Sequence, residues 1–151
     1  FSTLQTNDSA SAITRLVDIG VEPFLIASSV IAVVAQRLVR VLCNECKEPY
    51  MLEPETLRSM PVPMEQFEGK TIYRPHGCDS CLHNGYSGRT GIFEIMELDN
   101  HLKTVILKTH DSNRIMSEAI EGGMQTLLQD GLQRVLGGIT SIEEVLRVAN
   151  R

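Results

Sequence analysis

Four cysteines are the residues whose type and spacing most directly suggest chemistry. They occur as two C-x-x-C pairs, Cys43 with Cys46 and Cys78 with Cys81, and residues 47–77 separate the pairs. Each C-x-x-C turn can deliver two thiolates to one ion while backbone N–H groups face the sulfurs, and four thiolates suit tetrahedral Zn²⁺. Because four thiolates leave no open position for a catalytic water, the predicted zinc site is structural.

Other interpretations of these cysteines stay open at this point. Disulfides would require an oxidising compartment, a C-x-x-C redox couple would normally stand alone near a βαβ unit, and the thiols could also be unliganded. His76 and His83 flank the second pair and could replace a ligand, but with four cysteines we expect surface histidines. Gly85 stands four residues after Cys81, where such a turn needs a residue that tolerates positive φ.

A glycine-rich stretch, Gly85–Gly91 (GYSGRTG), raises the question of phosphate binding. A P-loop has the pattern G-x-x-x-x-G-K-[ST] between a strand and a helix. This stretch lacks the lysine and precedes a predicted strand, residues 92–98, so we predict a tight return into that strand. Arg89 could bind an anion bidentately beside the glycines, although most arginines are simply surface residues.

Hydrophobic spacing predicts the elements of the first third of the chain. Phe1 is interpreted as the end of a strand, and Asp8 as the N-cap of a helix that ends at Gly20. Residues 23–36 are apolar nearly all round, so we predict a second helix buried between layers. Residues 37–43 are rich in Val and Leu and predict a strand.

The remainder divides into an irregular part and a helical part. Residues 43–91 hold all four cysteines and five of the six prolines, and we expect little regular structure there apart from a short helix near residues 55–60. After the strand at 92–98, helices are predicted to start near four polar residues: Asp99, Ser112, Gln125 and Ser141. Ser141 is predicted to form a capping box with Glu144.

Composition excludes several classes of protein. The 151 residues are 42% hydrophobic and 22% charged, which is typical of a globular chain. A net charge of −5 argues against a general nucleic-acid binder, which needs a basic surface. The longest apolar stretch, residues 23–35, is interrupted by two serines and is shorter than the roughly 20 residues that a bilayer crossing needs. We therefore predict no membrane span.

Several segments, in order, resemble the motor ATPases of type II secretion and type IV pilus assembly. FSTLQTND resembles the TLHTN-type His box of that family. The chain then contains, in the same order, segments that resemble those after the His box in the family: AITRLVDIGVEPF, VAQRLVRVLC, the next C-x-x-C pair, GYSGRTGIFEIMEL and GGITSIEEVLRV. The resemblance covers essentially the whole chain. Its combination of VEPF, AQRLVR and C-x-x-C favours the type II secretion branch over pilus retraction motors.

The resemblance implies an α/β fold in three parts. Residues 1–39 would be the C-terminal part of a RecA-like P-loop ATPase core, residues 40–88 a tetracysteine metal-binding lobe, and residues 89–151 a small helical lobe. The Walker A, Asp-box and Walker B elements of the family precede the His box, and none of them is in this chain. We therefore expect the C-terminal third of a motor, inactive by itself.

The resemblance also implies a function. The family works as a ring-shaped, usually hexameric, cytoplasmic ATPase docked peripherally at the bacterial inner membrane on secretion platform proteins. ATP hydrolysis with Mg²⁺ drives assembly of a pseudopilus, and Zn²⁺ is structural. No nucleic-acid partner is expected. The alternatives are a type IV pilus assembly ATPase of the same family and a non-enzymatic zinc docking module.

The site residues are carried over from the resemblance by position. Thr3, Gln5 and Thr6 would lie near the nucleotide, and Arg15 and Arg89 resemble family arginines that approach the phosphates. Gln5 stands where the family usually has His. Because Gln forms hydrogen bonds but does not titrate near neutral pH, we expect Gln5 to orient water or sense phosphate and not to act as an acid or base.

Overall fold

The computed structural model describes residues 1–60 and 65–149, and within these ranges it shows a mixed α/β chain with seven α-helices and two two-stranded sheets. Two of the prolines counted above, Pro61 and Pro63, lie outside the described residues. In chain order the helices and strands are α1 (Ser9–Asp18), α2 (Pro23–Ser29), β1 (Ala32–Leu42), β2 (Glu48–Met51), α3 (Pro54–Ser59), β3 (Thr71–Arg74), β4 (Tyr86–Glu97), α4 (Asn100–Lys108), α5 (Ser112–Glu121), α6 (Leu127–Leu136) and α7 (Ile142–Ala149).

The chain forms two compact units. Unit 1 contains Phe1–Arg37 and Ile92–Asp130, and unit 2 contains Leu38–Gly91 and Gly131–Arg151. The long strands β1 and β4 pair with each other and contribute residues to both units. The division into an ATPase-core part, a metal-binding lobe and a helical lobe stays a prediction. Among the described residues, no helix has both the length and the apolar character that a membrane crossing requires.

Unit 1 is built on four helices that pack against one another, α1, α2, α4 and α5. Each buries an apolar stripe, because its hydrophobic residues recur at helical spacing. Strand β4 adds residues of its buried face to the same core. The buried core residues are Ala10, Ile13, Ile26, Met96, Leu98, Leu102, Val105, Ile106, Ile115 and Ala119.

The predicted starts of α1, α4 and α5 are confirmed to within a residue, and α6 begins at Leu127, two residues after the predicted start at Gln125. Asp8 caps α1 and Asp99 caps α4, in each case by accepting a hydrogen bond from a backbone N–H three residues later, at 2.7 and 2.8 Å. At α5 the N-cap is Asp111, and Ser112, the predicted cap, is the first helical residue. A carboxylate at the N-cap satisfies an N–H group that has no partner inside the helix.

Unit 2 contains the antiparallel β2–β3 pair, in which Glu48 lies opposite Arg74 and Met51 opposite Thr71. The short helix predicted near residues 55–60 is confirmed as α3. At the start of α7 the Ser141 hydroxyl accepts a hydrogen bond from the Glu144 N–H at 3.3 Å, which is one half of the predicted capping box. The Glu144 carboxylate binds Arg40 and Arg147 and does not complete the box.

Four features predicted from the sequence differ from the structure in type or extent. The second helix ends at Ser29 instead of residue 36, and β1 begins at Ala32. The β-branched side chains of residues 30–34 favour extended backbone. Two hydrogen bonds show that β1 runs antiparallel to β4: Leu98 N donates to Ile31 O at 2.9 Å, and Cys43 N donates to Gly85 O at 3.0 Å. Helix α2 is also not buried on all sides, contrary to the prediction of a helix buried between layers.

Strand pairing explains two further corrections. Residues 86–91, predicted as a loop, are already part of β4, and β2 and β3 add regular structure to the stretch predicted to be irregular. Pairing with a distant strand overrides the local preference of Gly for turns. Residues 1–6 form no helix or strand, contrary to the strand end predicted at Phe1.

Candidate functional site

The four cysteine sulfurs lie together in unit 2, and this group is called the tetracysteine cluster below. The Sγ atoms of Cys43 and Cys78 are 3.9 Å apart, those of Cys46 and Cys81 are 3.8 Å apart, and all four lie within 4.8 Å of one another. Zn–S bonds of about 2.3 Å in a tetrahedron place the sulfurs about 3.8 Å apart. All four cysteines are free, and a disulfide would need about 2.05 Å between sulfurs.

Two tight turns present the sulfurs of the cluster. The first follows β1 directly, and in it the N–H groups of Cys46 and Lys47 donate to the Cys43 carbonyl at 3.3 and 2.9 Å. The second is the 3-10 helix Asp79–Cys81, in which the Cys81 N–H donates to the Cys78 carbonyl at 3.2 Å. Because each turn is closed by its own backbone hydrogen bonds, the chain itself orients each pair of thiols.

Backbone N–H groups face the sulfurs, as predicted. Gly77 N lies 3.3 Å from Cys46 Sγ, and the N–H groups of Cys78 and Gly85 each lie 3.2 Å from Cys81 Sγ. Burial alone would raise the pKa of the Cys81 thiol, but these two N–H groups and the neighbouring thiols lower that pKa to about 6. At Cys46 burial dominates and raises the pKa of the thiol to about 12. The N–H groups therefore stabilise thiolate charge at one end of the cluster.

Gly85 has the positive φ that its spacing predicted, +78°. A Cβ added there would lie 2.4 Å from Pro75 Cβ, far inside van der Waals contact. Gly77, at φ +117°, also has no room, because an added Cβ would lie 2.8 Å from the His83 carbonyl oxygen. Both glycines are thus required by backbone conformation and by close approach.

The two histidines beside the second pair bind carboxylates and not the cluster. His76 Nδ1 lies 2.9 Å from Glu48 and His83 Nε2 lies 2.9 Å from Asp79, and both rings are largely exposed. Among the described residues, the four thiols are the group of neighbouring Cys, His, Asp or Glu side chains that could hold a metal ion. The donor set and its spacing fit a closed zinc site of four sulfurs.

The predicted nucleotide-binding residues are divided between the units. Thr3, Gln5 and Thr6 lie in the N-terminal segment, defined here as residues 1–8, which precedes α1 in unit 1, and Arg15 is exposed in the last turn of α1. Arg89 is exposed on β4 in unit 2. A role in nucleotide binding stays a prediction for all five residues.

Sequence reasoning did not identify two residues that contact this part of the chain. The Arg37 guanidinium donates to the carbonyls of Thr6 and Asn7, and the buried Glu94 carboxylate accepts from Ser9. One feature of the sequence could have identified Glu94. This residue falls at the inward position of an alternating apolar strand, where a charged residue is unusual.

Comparison with known proteins places the chain in a family. The sequence model for the family described as "Type II/IV secretion system protein" matches residues 1–147. The type II secretion system protein E of Pseudomonas aeruginosa is 44% identical over 147 residues, which is 97% of this chain and 29% of that protein. The type II secretion system ATPase E of Vibrio cholerae is 45% identical, with the same coverage of both chains.

A pilus protein matches equally well. The type IV pilus assembly ATPase TfpB of Acinetobacter baylyi is 45% identical over 147 residues, which is 97% of this chain and 25% of that protein. The chain therefore spans less than a third of the length of each of these three relatives. Since the family match extends over nearly the whole sequence, the chain belongs to the type II/IV secretion system protein family.

Proposed function

We propose that this chain is part of the motor ATPase that powers type II protein secretion by driving pseudopilus assembly. The observation that carries the proposal is the identity of 45% over 97% of the chain with a relative named as a type II secretion system ATPase. The VEPF, AQRLVR and C-x-x-C segments of the sequence favour the type II branch over pilus retraction motors.

The enzyme in this proposal is the complete motor. Residues 1–39 complete a RecA-like core, residues 40–88 form the metal-binding lobe, and residues 89–151 form the helical lobe. The P-loop lies in the upstream part of the motor, so the chain alone does not hydrolyse ATP. The complete motor is a hexameric ring in the cytoplasm, docked peripherally on secretion platform proteins of the inner membrane.

Zn²⁺ in this proposal is held by the tetracysteine cluster. When bound, it supplies four metal–thiolate bonds that cross-link the turn after β1 to the 3-10 turn before β4. The N–H groups of Gly77, Cys78 and Gly85 stabilise the thiolate charge, and the backbone hydrogen bonds of the two turns orient the sulfurs. The role of the cluster is structural, because its four donors fill a tetrahedral site.

The proposed nucleotide contacts follow the logic of phosphoryl transfer to water. Such transfer requires a positioned water and positive charge at the γ-phosphate, part of which Mg²⁺ supplies. The Gln5 amide can orient the water or sense the γ-phosphate, because it both donates and accepts hydrogen bonds. Thr3 and Thr6 add hydroxyls, and Arg15 and Arg89 add charge. Both arginines are exposed, which leaves them accessible to a ligand or a neighbouring subunit.

The test compares the 151-residue chain with a protein extended upstream by ~150 residues, one domain length. Elemental analysis is expected to find about one zinc ion per chain in both proteins, since one four-sulfur cluster binds one ion. Mg²⁺-dependent ATP hydrolysis is expected in the extended protein alone. Zinc without hydrolysis in either protein would refute the motor and favour a non-enzymatic zinc docking module.

A type IV pilus assembly ATPase is the second candidate. The observation that favours it is the 45% identity to the Acinetobacter baylyi pilus ATPase, which equals the identity to the type II relative. Complementation distinguishes the two. The complete motor is expected to restore protein export in a strain that lacks its type II motor. Restoration of pili alone, in a strain that lacks its pilus assembly motor, would assign the second function.

A further inference from the structure

We propose that Arg37 and Glu94 are positioning residues that hold the backbone of residues 6–9, and that they thereby fix the orientation in which Gln5 and Thr6 meet the nucleotide. The inference rests on the proposed function, because it presupposes that Gln5 and Thr6 lie near the nucleotide. All of the contacts involved lie within unit 1.

Arg37 holds the end of the N-terminal segment from β1. Its Nη2 atom donates to the carbonyl oxygens of Thr6 and Asn7 at 3.3 and 2.9 Å, and it also lies 3.4 Å from Asn7 Oδ1. Its Nη1 atom donates to the Gln36 carbonyl at 3.0 Å, which fixes the guanidinium against its own strand. Residues 1–6 form no helix or strand, so these bonds supply order that secondary structure does not.

Glu94 holds the next residues from β4. Its Oε1 atom accepts from the Ser9 N–H at 2.9 Å and from the Ser9 hydroxyl, and its Oε2 atom accepts from the Leu127 N–H at 3.2 Å. Glu94 is 2% exposed and Ser9 is 0% exposed. Ser9 and Leu127 are the first residues of α1 and α6, so one buried carboxylate joins two helix N-termini, where N–H groups lack intrahelical partners and negative charge is favourable.

Together the two residues bracket a short stretch of backbone. Arg37 binds the carbonyls of residues 6 and 7, the Asp8 side chain caps α1, and Glu94 binds the amide and hydroxyl of residue 9. Gln5 immediately precedes this stretch, so a shift of the stretch moves Gln5. Displacement of a water-orienting group by about 1 Å can cost 100-fold in rate, which makes fixed placement valuable to the reaction.

The test uses the complete motor with Arg37→Ala, Arg37→Lys and Glu94→Gln. Arg37→Ala is expected to lower kcat about 10- to 100-fold while KM for ATP changes less than about threefold, because positioning of the water is lost and the binding groups remain. Arg37→Lys is expected to recover part of kcat, because an ammonium still donates to the carbonyls. The matched control is Arg114→Ala, an exposed arginine of unit 1, with unchanged kcat.

Hydrogen exchange adds a readout that is independent of activity. In Glu94→Gln one carboxylate oxygen is replaced by an NH₂ group, which cannot accept a hydrogen bond from either helix N-terminus. The amide that faces the NH₂ group, either that of Ser9 or that of Leu127, is therefore expected to exchange faster in nucleotide-free motor. Glu97→Gln, an exposed neighbour on the same strand, is the matched control with unchanged exchange.

The outcomes separate the two proposals. A wild-type motor that does not hydrolyse ATP refutes the proposed function. An active wild type in which Arg37→Ala keeps kcat within twofold, or loses no more than Arg114→Ala does, overturns the positioning role alone. Should Glu94→Gln fail to fold, the comparison of Arg37→Ala with Arg37→Lys decides, because the Arg37 side chain is only half-buried and its lysine variant keeps the charge.

Discussion

The buried carboxylate of Glu144 on α7 is bound by the guanidinium of Arg40 on β1, with Glu144 Oε2 at 2.9 Å from Arg40 Nε and 2.8 Å from Arg40 Nη2. The Arg40 backbone N–H donates to the other oxygen at 3.3 Å, and Arg147 also binds it. The same guanidinium lies 4.0 Å from the centroid of the Tyr86 ring. Within unit 2 this pair therefore joins a helix near the end of the chain to a strand about a hundred residues earlier.

Glu144→Gln is expected to destabilise the protein by about 2 kcal/mol at neutral pH, because hydrogen bonds between the buried carboxylate and two charged groups are weakened. The measurement is urea unfolding of the 151-residue chain. Glu143→Gln is the matched control, since its side chain is exposed and adjacent in sequence, and its effect should stay within about 0.5 kcal/mol. Equal effects of the two substitutions would contradict a stabilising role of the pair.

The stability of the protein is expected to fall in acid partly through Glu144. Burial alone would raise the pKa of Glu144, but the hydrogen bonds from Arg40 and Arg147 outweigh burial and lower that pKa below the ordinary value of 4.5. A group whose pKa is lower in the folded state contributes stability above its unfolded pKa and loses that contribution as the pH falls through its folded pKa. Unfolding free energies measured from pH 7 to pH 3 should therefore decline less steeply in Glu144→Gln. Parallel curves would contradict the prediction.

Gly85→Ala is expected to destabilise unit 2 more than Gly88→Ala does. Both glycines have positive φ, +78° and +83°, so both substitutions incur a backbone cost of about 1 kcal/mol. Only at Gly85 does the added Cβ meet another atom, Pro75 Cβ at 2.4 Å, which adds about 1–3 kcal/mol of overpacking. Thermal unfolding of the two variants checks the difference. A loss at Gly88 as large as at Gly85 would mean that contact with Pro75 is unimportant.

Removal of metal is expected to destabilise the protein, because an ion bound by four sulfurs cross-links two turns that are distant in sequence. A chelator should lower the unfolding temperature of the wild type, and Cys78→Ser should lower the zinc content of the purified chain well below one ion. His76→Ala is the control and should retain zinc, since His76 binds Glu48 in the structure. Zinc content that depends on His76 and not on Cys78 would contradict the assigned ligands.

Gln5→His in the complete motor is expected to keep ATPase activity within roughly tenfold, a change of about 1.4 kcal/mol in transition-state free energy. The reason is that a water-orienting or phosphate-sensing role needs a hydrogen-bonding group and not a titrating one. Steady-state kinetics measures the change. A much larger loss would show that the position is specifically adapted to Gln.

Local features were predictable because their causes are local. The Asp8 and Asp99 caps bind N–H groups three residues away, so the signal and its structural effect lie within one helical turn. Likewise, each C-x-x-C turn is closed by hydrogen bonds within five residues, and its spacing alone indicates metal binding. The φ of Gly85 follows from the same turn.

Long-range contacts set the limits of prediction. The change from helix to strand near residue 30 was missed because an apolar run of that length suits a buried helix as well as a strand, and pairing with β4 decides between them. The capping box at Ser141 was half right, since Arg40 binds the carboxylate that the box would have used.

By itself, the sequence determined the paired thiols, most of the helix starts, and the family, since each is recorded in residue types at fixed spacing. Only the tertiary structure decided where β1 begins, that residues 86–91 are strand, and that Glu94, Arg37 and Glu144 bind residues from 30 to more than 100 positions away. The physical reason is that a buried carboxylate or an unpaired strand must find its partners in space, and sequence spacing carries no record of which distant groups those are.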